Sequence, residues 1–231
     1  MSAFVSAIIV AAGDSTRMGT ADSKQFVPLL GKPAILYTLR AFQACALISE
    51  VVVVCRAQDM ARVEALAQAN GIDKLTAVTE GGDYRAASVQ NGILAASVQA
   101  QYFAIHDGAR PLITPEEITA VVEAALETGA ATLGTAVTDT IKFADSDNVI
   151  TSTPDRSQLR AVQTPQVFEK ELYTLALSEA TDLDSVTDDC SLIEKMGGEV
   201  QIVEGSRENI KLTVPVDIAV AETILSLRKQ P

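Results

Sequence analysis

An α/β protein built on a mostly parallel sheet is the fold class this sequence predicts, and three observations carry the prediction. Short runs of Val, Ile and Ala recur without polar alternation, helical periodicity fills the spaces between them, and the glycine-bearing loops sit where such runs end. Continuous apolar runs suit strands covered on both faces, because a half-exposed strand would alternate.

Taken in order, the strand candidates are Phe4–Ala11, Val51–Cys55, Leu75–Thr79, Tyr102–His106 and Ala131–Val137. Helical patterns occupy Ala34–Ala44, Asp59–Ala69, Tyr84–Ala96 and Thr114–Thr128, and a last helix follows Pro215. Thr114–Thr128 is the best specified of these. Ile118, Val121, Val122, Ala125 and Leu126 recur at helical spacing, Thr114 and Glu117 form a capping box, and Pro115 stands at the first helical position. Strand–helix alternation implies right-handed βαβ units, hence an open Rossmann-like sheet with helices on both faces. Ligands on such sheets bind at the carboxyl ends of the strands. After Val137 the pattern changes. Thr140–Phe143 alternates, Asp145–Asn148 supplies a polar turn, and Val149–Thr151 is extended again, which predicts a β-hairpin arm. A lone hairpin is marginal in water, so it must pack on its own domain or on a second subunit. The expected organisation is one domain over 1–231, with 138–160 as an extended β-arm.

Composition narrows the function. A formal charge of -12 opposes binding to polymeric nucleic acid or anionic membrane, though not to a small anion in a local basic pocket. The three cysteines, Cys45, Cys55 and Cys190, are far apart and lack CxxC spacing, so neither a disulfide framework nor a zinc site is expected. Phe4–Ala12 is preceded by no basic region, and no segment reaches the ~20 apolar residues a membrane span needs. A cytoplasmic protein is the expectation.

Three loops carry most of the chemistry. The first, Ala11-Ala12-Gly13 through Arg17 to Gly19, with Lys24 beyond it, lets backbone N–H groups approach a phosphate beside fixed positive charge. It is neither GxGxxG nor GxxxxGK[ST], which removes the usual support for dinucleotide binding, and with it a dehydrogenase, or for P-loop hydrolysis. The second runs through Gly81, Gly82, Asp83, Arg85 and Ser88. A tight turn with Asp83 capping the next helix accounts for the first three, but not for Arg85 and Ser88 on one helix face. The third, His106-Asp107-Gly108-Ala109-Arg110-Pro111, sets an acid and a base at a strand end, for a metal and a substrate anion or for a simple Asp107–Arg110 ion pair. His106 is the sole histidine and reads as structural. With no GxSxG elbow, triad hydrolysis lacks support.

In order along the chain, AAGxxxRM with KQF, GGDxRxxSV, HDGARP, TDTIK, QTPQxF, TDD and NIKLT resemble the 2-C-methyl-D-erythritol 4-phosphate cytidylyltransferases of non-mevalonate isoprenoid synthesis, from Val10 to about Asp217. The resemblance implies in-line attack of a sugar-alcohol phosphate on the α-phosphorus of CTP. It further implies that Arg17 and Lys24 stabilise the transition state and that Arg156 and Lys211 orient the attacking phosphate. Ala11, Ala12, Gly13, Gly81, Gly82, Asp83, Arg85 and Ser88 would hold the nucleotide. Asp107, Gly108, Arg110, Thr140 and Thr164 would line the acceptor site. Mg2+ is implied, bound chiefly through CTP phosphates, with Asp107 as the candidate protein ligand. A homodimer is implied too, its arms exchanged so that Thr140 and Arg156 complete the partner's site. Ser15 departs from a common second glycine, Gly108 from a common alanine, and Asp14 adds unexplained negative charge. The competing readings are a ribitol-5-phosphate cytidylyltransferase and a non-catalytic nucleotide-binding module.

Overall fold

The computed structural model of the protein describes residues 3–13, 23–184 and 186–228. The apolar run at the start becomes β1 (Val5–Val10). A 3₁₀ turn at Lys24–Phe26 leads into the small hairpin of β2 (Pro28–Leu29) and β3 (Lys32–Pro33). Leu30 and Gly31 both have positive φ there, the signature of a tight hairpin turn that matches strand twist. The chain then alternates: α1 (Ala34–Ala44), β4 (Glu50–Cys55), α2 (Met60–Ala69), β5 (Leu75–Glu80), α3 (Arg85–Ala95), β6 (Tyr102–Asp107), α4 (Pro115–Thr128) and β7 (Ala130–Ala136). A short arm carries β8 (Phe143–Ala144) and β9 (Ile150–Ser152), and β10 (Arg160–Glu169) brings the chain back. The remainder is α5 (Lys170–Glu179), α6 (Cys190–Lys195), β11 (Gln201–Glu204) and α7 (Val216–Arg228).

Seven strands form the main sheet in the order β11-β7-β10-β6-β1-β4-β5. All run parallel except β10, which is antiparallel to both β6 and β7. Alternation along each strand splits the core into two layers. Ala7 and Ile9 of β1, with Val51 and Val53 of β4, pack under α1, α2 and α4 through Ile35, Leu39, Val63 and Val121. Ile8, Val52 and Val54 face the other way, against Val89 of α3, Tyr173 of α5 and Ile193 of α6. The Rossmann-like fold with helices on both faces is therefore the observed one. Strand order reverses between β1 and β6, and that switch point directs a ligand to the loops leaving these two strands.

The expected capping box is present, with Glu117 N donating to Thr114 Oγ1 at 3.3 Å and Thr114 N to Glu117 Oε2 at 3.1 Å. Gly129 closes the same helix in the left-handed region at φ 84°. Thr114→Ala is expected to cost about 1 kcal/mol, read as a shift in thermal midpoint with activity at 25 °C unchanged.

The arm stands apart. Phe143 pairs with Ser152 and Ala144 with Ile150, and Asp145 Oδ1 accepts from the N–H groups of Asp147 and Val149 to close the turn. Every residue from 139 to 153 is exposed, including Phe143 at 60 % and Ile150 at 61 %. Within one chain the hairpin does not pack on its own domain.

Candidate active site

Three backbone hydrogen bonds prolong the sheet by one residue at its carboxyl edge. Ala11 N donates to Val54 O at 2.7 Å, Gly81 N to Cys55 O at 2.9 Å, and Gly108 N to Val10 O at 2.8 Å. The loops after β1, β5 and β6 thus leave side by side. A fourth bond, Leu212 N to Ala109 O at 2.8 Å, lays the segment after β11 across the β6 loop. Between these loops opens a cleft of about 340 Å³.

Of the predicted site residues, Ala12, Gly13, Lys24, Gly82, Asp83, Arg85, Ser88, Asp107 and Lys211 line this cleft. Val10, Gln25, Tyr84 and Ala109 line it as well, and nothing in the sequence motifs distinguished them. Ala11, Gly81, Gly108, Arg110 and Thr164 are not wall residues. Thr140 and Arg156, on the arm and at its base, are not among the residues lining the cleft of their own chain; Arg156 Nη1 donates to Thr138 O at 2.9 Å. Arg17, like Asp14 and Ser15, lies outside the described residues.

The second loop owes its shape to close packing. A Cβ on Gly81 would sit 2.3 Å from Ala12 Cβ, and one on Gly82 would sit 2.5 Å from Ala87 Cβ. Glycine here permits contact between the first and second loops. Gly81→Ala is expected to push them apart, lowering stability by about 1–3 kcal/mol and cutting turnover, measured by melting and by pyrophosphate release. Ser88 Oγ accepts from Gly82 N at 3.1 Å and donates to Tyr84 O at 3.2 Å, tying the loop to its helix. The expected Asp83 cap is not formed. Helix α3 starts at Arg85 with Tyr84 in the cap position and no side-chain cap bond, leaving Asp83 on the cleft wall.

Asp107 is the electrostatic centre. Its Oδ2 lies 2.7 Å from Lys211 Nζ and 4.0 Å from Arg110 Nε, and its Oδ1 lies 3.6 Å from Arg85 Nε. Burial alone would raise its pKa, but Arg85, Lys211 and Arg110 together hold it at about 2, so it is ionised throughout the physiological range. The Asp107–Arg110 ion pair is present but loose, and Lys211 is the closer partner. Arg110 Nη1 instead donates to Asn209 O at 2.8 Å. Beneath the cleft Asp107 N donates to Thr164 Oγ1 at 3.0 Å, and that hydroxyl also meets His106 Nδ1 at 3.1 Å. Thr164 is therefore a buried support for the third loop.

His106 is fully buried against Phe42, and burial depresses its pKa from 6.5 to about 4. The unfolded chain takes up this proton at a higher pH than the folded one. Stability supplied by the neutral ring is thus complete above pH 6.5 and lost as pH falls toward 4. The wild type is expected to lose up to about 3 kcal/mol over that window relative to His106→Gln, measured by urea unfolding at several pH values.

Sequence reasoning gave no role to Asp189, which is completely buried and bears on Arg85 at 2.7 Å. Its only signal was the paired acids Asp188-Asp189.

The donor set does not fit a protein-held metal. Asp107 is surrounded by three cations, and among the described residues no group of three His, Cys, Asp or Glu side chains could hold an ion. Among the same residues no helix is long and apolar enough to cross a membrane.

A family model described as 2-C-methyl-D-erythritol 4-phosphate cytidylyltransferase matches residues 5–227. The chain belongs to this family. Relatives carrying that name include the protein of Caldanaerobacter subterraneus subsp. tengcongensis, 44% identical over 227 residues, covering 96% of this chain and 98% of the relative. The Rubrobacter xylanophilus protein is 44% identical over 228 residues, with 97% and 96% covered. Among solved structures, a 4-diphosphocytidyl-2C-methyl-D-erythritol synthase from Anaerococcus prevotii aligns with a TM-score of 0.83 at 28% identity, over 97% of each chain. The cytidylyltransferase from Thermus thermophilus aligns at 0.76 and 28%, over 95% of this chain and 98% of the other. The cleft described above is this family member's candidate active site.

Proposed function

We propose that the protein transfers the cytidylyl group of CTP to 2-C-methyl-D-erythritol 4-phosphate, a step of non-mevalonate isoprenoid synthesis. The observation that carries the reading is the meeting of Lys24, Arg85 and Lys211 with the glycine loops at the sheet's switch point, in a chain of this family. An oxygen of the acceptor phosphate attacks the α-phosphorus of CTP. The bond from that phosphorus to the bridging oxygen breaks in line, and pyrophosphate leaves with the electron pair. The nucleophile is already anionic, so the protein needs to supply only position and positive charge.

The alternatives within the protein are poorly suited to covalent work. Burial pushes the Cys55 thiol up to about 12 and also raises Cys190, while His106 is sealed in the core.

In this reading Lys24 and Arg17 neutralise charge growing on the α-phosphate, and Lys211 with the partner's arm residues orients the acceptor. Ala11, Ala12, Gly13, Gly81, Gly82, Asp83, Arg85 and Ser88 hold the nucleotide, by backbone groups or by supporting the loops. Asp107, Gly108, Arg110 and Thr164 shape the acceptor side. Mg2+ would be carried by the phosphates of CTP rather than by a protein cage, and would neutralise part of their charge. We treat residues 1–231 as one domain acting in the cytoplasm, with 138–160 as the arm of a homodimer in which Thr140 and Arg156 serve the neighbouring site. The exposed apolar arm is what a second subunit would cover.

Pyrophosphate release with CTP and each acceptor, 2-C-methyl-D-erythritol 4-phosphate or ribitol 5-phosphate, tests the assignment. Turnover with the first acceptor is expected. Rapid turnover of ribitol 5-phosphate alone would overturn it, and CTP binding without turnover would point to a silent nucleotide-binding module.

A further inference from the structure

Behind the cleft wall a buried acid that the proposed chemistry does not use, Asp189, heads a row of alternating charges running into the site. Asp189 is 0 % exposed, and its two oxygens are both engaged. Oδ1 accepts from Tyr173 Oη at 2.6 Å, and Oδ2 lies 2.7 Å from Arg85 Nη1. Its backbone N–H is fixed as well, donating to Gln166 Oε1 at 2.8 Å. Among the described residues, neither Arg85 Nη1 nor Asp189 Oδ2 makes a well-formed hydrogen bond, so the contact between them is chiefly one of opposite charges. From Arg85 the row continues to Asp107 at 3.6 Å and from Asp107 to Lys211 at 2.7 Å.

We infer that Asp189, held by Tyr173 and Gln166, is a positioning residue that sets the cleft's cations through Arg85. The reasoning is competitive. Asp189 engages Arg85 closely, so Arg85 stands off from Asp107, whose other oxygen stays committed to Lys211. Without the Asp189 charge, Asp107 is the carboxylate left paired with Arg85 among the described residues, and Arg85 closes on it. The attraction between Asp107 and Lys211 is then shared, and Lys211 loses a fixed direction. The buried acid thus tunes an ammonium it does not touch, by way of two intervening side chains.

This inference rests on the cytidylyltransferase reading for its kinetic arm, and a second readout is independent of turnover. Asp189→Asn keeps an oxygen for Tyr173 and removes the charge. At 25 °C this variant is expected to lose roughly 10–100-fold in kcat/KM for the acceptor, as orienting partners of charged site groups typically do, while the Kd for CTP changes by a smaller factor. In an Arg85→Lys background the same change is expected to cost less than about twofold, because its route of action is already interrupted. Tyr173→Phe removes only the hydroxyl and is expected to give a smaller loss in the same parameter; it carries the test if Asp189→Asn does not fold. Independently, the ¹⁵N signal of the Lys211 ammonium is expected to shift in Asp189→Asn and in Tyr173→Phe. Additive losses with Arg85→Lys, or lowered melting with unchanged kcat/KM and an unmoved Lys211 signal, would show that Asp189 only supports the fold. A wild type that fails to turn over refutes the assigned reaction and leaves the Lys211 signal to decide this inference.

Discussion

Lys24→Ala is expected to lower the rate of cytidylyl transfer by about 10²–10³-fold while CTP affinity changes by less than about tenfold. Lys24 opens a 3₁₀ turn whose next two residues, Gln25 and Phe26, are buried, so the backbone carrying the ammonium is fixed at the cleft wall. A fixed cation beside the reacting phosphate gains most as charge builds there, and less in the bound ground state. Arg17→Ala is expected to behave alike, on the strength of its motif. Single-turnover kinetics against titration calorimetry separates the two parameters. A loss confined to CTP affinity would make Lys24 a binding residue with no particular hold on the transition state.

Removing Asp139–Thr153 is expected to leave inactive, mainly monomeric protein, as read by sedimentation and by pyrophosphate release. The whole segment is exposed and its ladder is two residue pairs long, so little within one chain holds it in place. Phe143 and Ile150 present apolar surface that water disfavours, and a second subunit is the partner proposed to cover it. A gentler version is the pair Phe143→Asp and Ile150→Asp, which keeps the chain length and is expected to give monomer by placing charges at the proposed seam. A truncated monomer with full activity would remove both roles from the arm.

Much of this fold was legible because the parallel strands are buried on both faces and therefore spell themselves out as apolar runs. Val51–Cys55 and Tyr102–His106 fall within one residue of β4 and β6. The strand β10 was not legible. Arg160–Glu169 mixes exposed and buried positions, holds Pro165 in its interior and shifts register between Val162 and Gln166, so no single period describes it. The segment α6 was not legible either, since Cys190–Lys195 is under two turns long and too short to show a helical period. At the site, residues delivered by glycine loops were legible because small residues and fixed charges have few other uses together. Asp189 was not, since a buried carboxylate looks like a solvated one until Arg85, from the other half of the chain, is brought against it. Asp83 erred in the opposite sense. Sequence spacing made it a helix cap, but the close packing of Gly82 on Ala87 turns the chain so that Tyr84 takes that position.

The lone reversed strand has a consequence for how the polypeptide assembles during synthesis. By residue 107 the chain holds four adjoining strands, β5, β4, β1 and β6, which can pair with one another before any later segment is made. β7 emerges soon afterwards, but its neighbours are β10 and β11, so its edges wait until residue 169 and then residue 204 have left the ribosome. Closure of the C-terminal half waits on synthesis, because the strands that pair with β7 emerge last. The nascent molecule should therefore mature in two stages, with amide protection rising first in β1, β4 and β6, and the finished pocket arriving only when Lys211 clears the exit tunnel.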